Sequence, residues 1–259
     1  MRLATFNLMH GRSLSDGLVD HARVRLAVAA LDADVLALQE VDQNQPRSGH
    51  VDLTRVAAQA MGVADDGHRF AATLIGIPGE EYRRAQHDDE PDGEPRYGVG
   101  LVSRYPVLSW HVTPLSHAPV RSPVYTPGPG GGLVWLRDEP RVLLAAVVQA
   151  PLGPMTVATT HLSFVPGWNV RQLRQACRAL MVLPEPRVLL GDLNIPSWTV
   201  RGVTRWRALG EVATYPSYQP RVQLDHALAY PRRGLPSVRG VSTPRVPVSD
   251  HLPLVIELG

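Results

Sequence analysis

Carboxylates, carboxamides and imidazoles recur in this chain at the ends of apolar runs, where buried strands would stop. Asn7 ends the first run (RLATFNL), Glu40 the second (LALQEVD) and His161 another (ATTHLS). Asp192 and Asn194 follow the run in RVLLGDLN, Asp225 begins QLDHALAY, and Asp250 and His251 precede LPLVIEL. A strand buried on both faces does not end in a carboxylate unless that group is solvated, paired or bound to metal. Strand ends are also how a sandwich brings residues distant in sequence to one rim. The chemistry such a set offers is metal ligation and proton transfer, since a carboxylate beside an imidazole serves both near neutral pH. Singly, each has an ordinary reading: Asn7 a turn, Glu40 a cap or surface acid, Asp192 a helix N-cap, His161 a satisfied structural histidine, Asp250 a turn before a strand. Only the ordered set is informative.

The elements that must position these residues are short. Strand-like runs cover Arg2–Leu8, Val35–Val41, Gly98–Ser103, Val142–Gln149, Met155–His161, Arg187–Leu190, Leu224–Ala229 and Leu254–Leu258. Helical spacing predicts helices over His21–Leu31, Leu53–Met61 and Asn169–Val182. Val142–Gln149 and Met155–His161 read as an antiparallel hairpin closed by Ala150–Pro154. Strands and helices mix without strict alternation, which favours an α+β arrangement with a substantially antiparallel sheet. There is no linker-like stretch or internal repeat. Pro78–Arg96 and Ser116–Gly132 are expected to be long loops, either functional rims or excursions.

Composition narrows the class. With 259 residues, 44% hydrophobic and 19% charged, the chain is neither disordered nor, given a longest apolar run of Val142–Val148, membrane-spanning by helix. Thr5 and Asn7 interrupt any leader-like apolar region at the N-terminus, so cytoplasmic residence is the default expectation. The one cysteine, Cys177, excludes an intramolecular disulfide and reads as a small buried hydrophobe. All 26 basic residues are arginine and the formal net charge is only +2, but it is uneven. Residues 1–167 carry 14 arginines against 18 acids, and residues 168–245 carry 12 against 4. The basic stretch could draw a phosphate-rich substrate, or be a solvated surface.

The segments TFNLMHG, LQEVD, GLVSRYPV, THL, GDLN, LDHAL and SDHLP occur in the order found in the endonuclease/exonuclease/phosphatase superfamily, the DNase I-like metal-dependent phosphoesterases, which this sequence resembles from residue 5 to residue 253. The resemblance implies a four-layer α/β/β/α sandwich of two packed mixed sheets flanked by helices, over a single domain 1–259 because residues 7 to 251 must meet. It implies a divalent metal, Mg²⁺ with Mn²⁺ as a substitute. Glu40 matches the principal metal-binding carboxylate, and Asn7 and Asp250 match positions at or near the metal. Carboxylates suit Mg²⁺, and no Cys or His cluster argues for zinc. Asp192 and Asn194 match a pair beside the scissile phosphate, where Asp can orient or deprotonate water and Asn can donate to a phosphate oxygen. Two residues apart in an extended segment, they would share a side. His251 matches a phosphate-contacting histidine, in some members the base; Asp225 matches the acid that orients it. His161 matches a second catalytic histidine, a candidate acid for the leaving oxygen.

The implied activity is Mg²⁺-dependent hydrolysis of a phosphoester, most specifically a phosphodiester, by water, with nucleic acid, nucleotide or phospholipid headgroup as substrate and no obligate protein partner. A non-catalytic phosphate-binding or scaffold protein on the same fold is the alternative. The chain departs from the AP-endonuclease branch at Met9, Val41 and Asp42, and from the inositol-phosphatase branch at Ile195-Pro196-Ser197; it is similar to the bacterial group that includes sphingomyelinase-like hydrolases. Trp198, Trp206, Arg201, Arg205 and Arg207 could meet a base or headgroup, although helix packing explains Trp206 equally well. Arg12 and Arg47 could clamp phosphate or form surface salt bridges.

Overall fold

Two strand–helix–strand crossovers organise the chain. A computed structural model describes residues 1–86, 89, 93–119, 121–126, 132–231 and 237–259. In chain order its elements are β1 Arg2–Asn7, α1 His21–Leu31, β2 Val35–Gln43, α2 Leu53–Met61, β3 His68–Gly76, β4 Tyr82–Arg84, β5 Arg96–Ser103, β6 Val107–Leu115, β7 Arg121–Thr126, β8 Gly132–Arg137, β9 Arg141–Ala150, β10 Gly153–His161, α3 Trp168–Leu180, β11 Arg187–Asp192, α4 Ser197–Val203, β12 Arg207–Ala208, β13 Asp225–Tyr230, β14 Val238–Ser242 and β15 Leu254–Leu258. One sheet has the order β14-β15-β1-β2-β5-β3-β4, the other β12-β13-β11-β10-β9-β6, and β7-β8 forms a separate hairpin. Each large sheet contains one parallel pair, β1 with β2 and β10 with β11, joined through α1 and α3 respectively.

The alternation of side chains along each strand builds the layers. Leu3, Val35, Ala37, Leu144, Ala146, Val188, Leu190 and Ile256 fill the space between the sheets. Their strand neighbours Ala4, Phe6, Leu36, Leu38 and Val255 pack under α1 and α2. Leu143, Ala145, Leu189 and Leu228 pack under α3 and α4. This is the α/β/β/α sandwich of two mixed sheets expected from the resemblance, and it explains why so many strands read as unbroken apolar runs: both faces are covered. The helices start where the sequence can cap them. Asp20 accepts from the Ala22 N–H, and Asp52 accepts from the N–H groups of Thr54 and Arg55 before α2 ends at Gly62 with φ 68°.

Several boundaries differ from expectation. The second strand runs on to Gln43, so Glu40 lies inside it rather than at its end. Its pairing with β5 slips from Leu38 opposite Gly100 to Val41 opposite Gly98, a β-bulge at Gln39–Glu40. Strands β3 and β6 were hidden by polar residues; β6 is an edge strand, where Pro114 costs no ladder bond that the sheet needs. The two expected loops are not structureless. Tyr82–Arg84 pairs with β3 and Arg121–Thr126 with β8; residues 87, 88, 90–92, 120 and 127–131 of those segments lie outside the described residues. Cys177 is half-buried rather than buried, its thiol 3.8 Å from the Thr204 hydroxyl. No helix among the described residues is long and apolar enough to cross a membrane.

Candidate active site

The carboxyl ends of both parallel pairs open on one cleft of about 1240 Å³, the position where α/β crossovers usually present ligand-binding groups. Glu40, His161, Asp192, Asn194, Asp250 and His251 line it. Asn7 and Asp225 are fully buried just behind. In the second sheet the placement follows from strand register alone: His161 on β10 is the partner of Asp192 on β11, which is the partner of Asp225 on β13. Gly191 permits this close pairing, because a Cβ there would stand 2.0 Å from the Thr160 carbonyl oxygen. In the first sheet Asn7 ends β1, the bulge throws Glu40 out of the pleat with φ 53°, and the turn before β15 supplies Asp250 and His251.

Asp192 is the hub. Its Oδ2 accepts from Asn7 Nδ2 at 3.1 Å and lies 3.5 Å from His161 Nε2 and 3.8 Å from His251 Nε2. Asn7 Nδ2 also donates to Glu40 at 2.9 Å, while its Oδ1 accepts from the Met9 N–H at 3.1 Å. Asn7 therefore bridges two acids, one from each sheet, and its oxygen is already engaged. Behind His251, Asp225 Oδ2 meets Nδ1 at 2.8 Å. Asn194 does not extend from Asp192; with φ 49° it curls back so that its N–H donates to Asp192 Oδ1 at 2.9 Å. Its amide nitrogen faces His161 Nε2 at 3.2 Å and donates to the Leu162 carbonyl at 3.0 Å. The N–H groups expected to face a phosphate oxygen are thus used to hold the end of β10.

The charges are set by this packing. Burial, reinforced by Asp250 and opposed by the Asn7 hydrogen bond, lifts Glu40 to about 7. Burial also raises Asp192, with Asp225 adding to it and His251 opposing. Burial disfavours the charged form of His251, but Asp225, Asp192 and Asp250 outweigh it and bring its pKa to about 10. His161 moves the other way: burial, then Arg141 and His251, hold it well below the ordinary histidine value and therefore neutral. One imidazolium and one neutral imidazole face the same hub.

Sequence reasoning missed the residues that hold this arrangement. Ser249, with φ 75°, donates to the Asn7 carbonyl at 2.7 Å and accepts from the His251 N–H at 3.1 Å, fastening the last turn to β1. Tyr215 lines the cleft with its ring 4.8 Å from that of His251. Gln39 joins the sheets through the core, accepting from Thr5 at 3.2 Å and donating to Thr159 at 2.9 Å. The residue types flanking known motif positions were the available signal for Ser249 and Gln39; Tyr215 had none.

The arginine expectations divide. Arg47 lines the cleft and binds the buried Asp42 with two hydrogen bonds, of 2.9 and 2.7 Å. Arg12 is not among the cleft-lining residues, although its charge helps to lower His10. Trp206 is a core residue stacked near Tyr230, and Trp198 is exposed away from the cleft. Arg201 pairs with Glu211. Among the described residues, the arginines that do line the cleft are Arg47, Arg83, Arg121, Arg137 and Arg141, none from the basic stretch 168–245.

The sequence profile described as "Endonuclease/Exonuclease/phosphatase family" matches residues 4–251. The chain belongs to that family. Its members are phosphoesterase hydrolases and are generally metal-dependent. A search of curated proteins found no match. Among solved structures, an endonuclease/exonuclease/phosphatase from Beutenbergia cavernae is 25% identical with a TM-score of 0.68, over 100% of this chain and 72% of its own. Sphingomyelinase C from Streptomyces griseocarneus (16% identity, TM-score 0.61) and a mannosyl-6-phosphatase from Bacteroides thetaiotaomicron (14%, 0.60) each match over 100% of this chain and 99% of theirs, and share the fold.

The donor set of this family member fits a hard divalent cation. Glu40 is raised first by burial and then by the nearby carboxylates of Asp250 and Asp192, so oxygen donors and negative charge converge there, only partly offset by His251. A second oxygen-rich place exists: one donor atom each of Asp192, Asp225 and His251 lie within 4.8 Å of one another. There, however, Asp225 and His251 already bind each other.

Proposed function

We propose that the protein is a Mg²⁺-dependent phosphoesterase, acting most specifically on phosphodiesters, with Glu40 and Asp250 holding the cation and Asn7 orienting Glu40. The observation that carries this reading is the hub: one buried carboxylate, Asp192, within hydrogen-bonding or near-contact distance of Asn7, His161 and His251 at the floor of an open cleft. Bound there, Mg²⁺ would supply positive charge to the phosphate oxygens and acidify water.

The chain's own residues divide the remaining work. Asp192, raised by burial, accepts the proton of the attacking water while a P–O bond forms and the ester P–O bond breaks. The imidazolium of His251, fixed by Asp225, donates an N–H to the phosphate as its charge grows. His161 carries no extra proton in this arrangement; with Asn194 it orders the floor, which leaves protonation of the departing oxygen to His251 or water. Cytoplasmic residence and a single domain accompany this reading, supported by the joint use of residues 7 to 251 at one cleft.

The test is hydrolysis of an aryl phosphodiester and a panel of nucleic acids, nucleotides, phospholipids and sugar phosphates, with Mg²⁺, Mn²⁺ or EDTA and Asp192→Ala as contamination control. EDTA-sensitive turnover lost in the variant supports the proposal. No turnover on any substrate together with no Mg²⁺ binding by calorimetry overturns it.

A further inference from the structure

The cleft extends well past the catalytic residues. Its 1240 Å³ exceeds the roughly 300–1,000 Å³ of sites that take one small molecule. One wall of the extension is the β7–β8 hairpin. Its register sets Arg121 opposite Arg137 and Pro123 opposite Trp135. Directly opposed residues, and residues two apart, share a face of a strand pair, so both arginines and the tryptophan project from one face, and all three line the cleft. Trp135 is 61% exposed, and among the described residues neither arginine side chain has an ion-pair or hydrogen-bond partner.

Arg141, at the start of β9, also lines the cleft. Its side chain is only 4% exposed, its Nε is buried without a partner, and its nearest acids, Asp138 and Glu139, lie at 3.7 and 3.8 Å, beyond hydrogen-bonding distance. Asp138 and Glu139 supply counter-charge to the guanidinium, and its buried Nε leaves one donor unused beside the cleft. Glu80, Glu81 and Glu139 also line the cleft, and Arg47 and Arg83 there are paired with Asp42 and with Asp89 and Glu94, so the cleft's unpaired positive charge is that of the hairpin.

We propose that the hairpin face is a distal subsite for a substrate that continues beyond the scissile phosphate with another phosphate and a planar base, that is, a short single-stranded nucleic acid. Arg121 and Arg137 meet the flanking phosphate, Arg141 the anionic stretch leading to the hub, and Trp135 stacks the unpaired base. Trp135 faces the cleft alongside unpaired cations, which favours a ring-bearing polyanion over an apolar surface. This rests on the phosphoesterase reading for its scissile phosphate but is tested separately from it.

Binding of fluorescein-labelled hexathymidylate is measured by anisotropy in EDTA, where no turnover occurs, across a salt series. Trp135→Ala weakens binding about tenfold or more. Arg121→Ala/Arg137→Ala lowers the slope of log affinity against log salt by about 0.7, the contribution of the one single-strand phosphate the pair meets. With Mg²⁺, the loss of kcat/KM is at least tenfold larger on hexathymidylate than on an aryl phosphodiester. An unchanged salt slope, or equal losses on both substrates, overturns the subsite. Loss of sedimentation with phosphatidylcholine vesicles in Trp135→Ala, with hexathymidylate binding intact, assigns the face to a membrane and overturns it. A double variant more active on the aryl substrate shows instead that the hairpin closes on Glu80 and Glu81. If the wild type hydrolyses neither substrate, the salt slope still decides the subsite, and the phosphoesterase reading is decided separately by the wider panel and by Mg²⁺ calorimetry.

Discussion

The two crossovers, β1–α1–β2 and β10–α3–β11, deliver chemistry to the same cleft by different means. In the second, His161, Asp192 and Asp225 are side-by-side partners on three neighbouring strands. Their spacing is inherited from the ladder. In the first, the register partner of Asn7 is Gln39, which points into the core toward Thr159, and Glu40 reaches the cleft only through a bulge and a left-handed backbone. Of the eight non-glycine residues with positive φ among the described residues, His10, Glu40 and Asn194 line the cleft. Such conformations cost of order 1–3 kcal/mol each and persist where the surrounding structure over-determines them. Asn7 makes the join, because one amide nitrogen binds Glu40 from the strained half and Asp192 from the laddered half. The half proposed to handle protons is thus set by the strand ladder, and the half proposed to hold the cation carries backbone strain and like charge that a cation would relieve.

Four perturbations break or sharpen this contrast. Asp192→Ala removes the hub and lowers kcat on an aryl phosphodiester by about 10²–10⁴, the range for losing a general acid or base; steady-state kinetics with Mg²⁺ check it, and a loss below tenfold would assign the water's proton elsewhere.

Gly191→Ala attacks the ladder itself. With a Cβ 2.0 Å from the Thr160 oxygen, β10 and β11 must part. Destabilisation of about 3–5 kcal/mol is expected from denaturant unfolding, well above the effect of Gly62→Ala, where a Cβ meets nothing but φ is 68°.

Asp225→Asn tests the imidazolium. His251 is raised from 6.5 to about 10, so its favourable contribution is fully present below pH 6.5 and is lost as pH rises toward 10. Wild-type stability should fall over that window by a few kcal/mol, roughly, and the variant should show a shallower fall. Parallel curves would mean that Asp225 does not hold the charge.

The smallest effect is expected in the strained half. Glu40 is raised from 4.5 to about 7, so in metal-free protein its own contribution to stability is fully present below pH 4.5 and about 1–3 kcal/mol of it is lost as pH rises through 7. Glu40→Gln flattens that slope, and Mg²⁺ restores stability at pH 7 to the wild type alone. Thermal unfolding with and without Mg²⁺ at both pH values reads this; an identical Mg²⁺ response in the variant would remove Glu40 from the cation site.

Much of this organisation was legible in the chain. Strands buried on both faces write themselves as apolar runs, and a polar residue that closes such a run is conspicuous, so Asn7, His161, Asp192, Asp225 and His251 stood out and do meet at one place. The three longest helices were visible from their 3.6-residue spacing. Polar or edge strands were not: β3, β4, β6 and the β7–β8 hairpin carry mixed residues because one side faces solvent or the cleft, which erases the contrast on which pattern reading depends. The hairpin's Arg121, Trp135 and Arg137 passed unnoticed for that reason, while the conspicuous Trp198 and the described arginines of residues 168–245 are not among the cleft-lining residues.

The sequence by itself determined the mix of strands and helices and the cast of reactive residues, because these depend on residue type and local periodicity, and its ordered motifs carried the resemblance that implied the family and the layer order. Only the tertiary structure decided their states and partners: that Glu40 sits in a bulge, that Asn7 spans the sheets, that Asn194 holds His161, and that one histidine is charged and the other neutral. Each of these depends on register, burial and the charges of residues more than twenty positions away, and electrostatic energy in a buried site is a sum over neighbours that no local pattern contains.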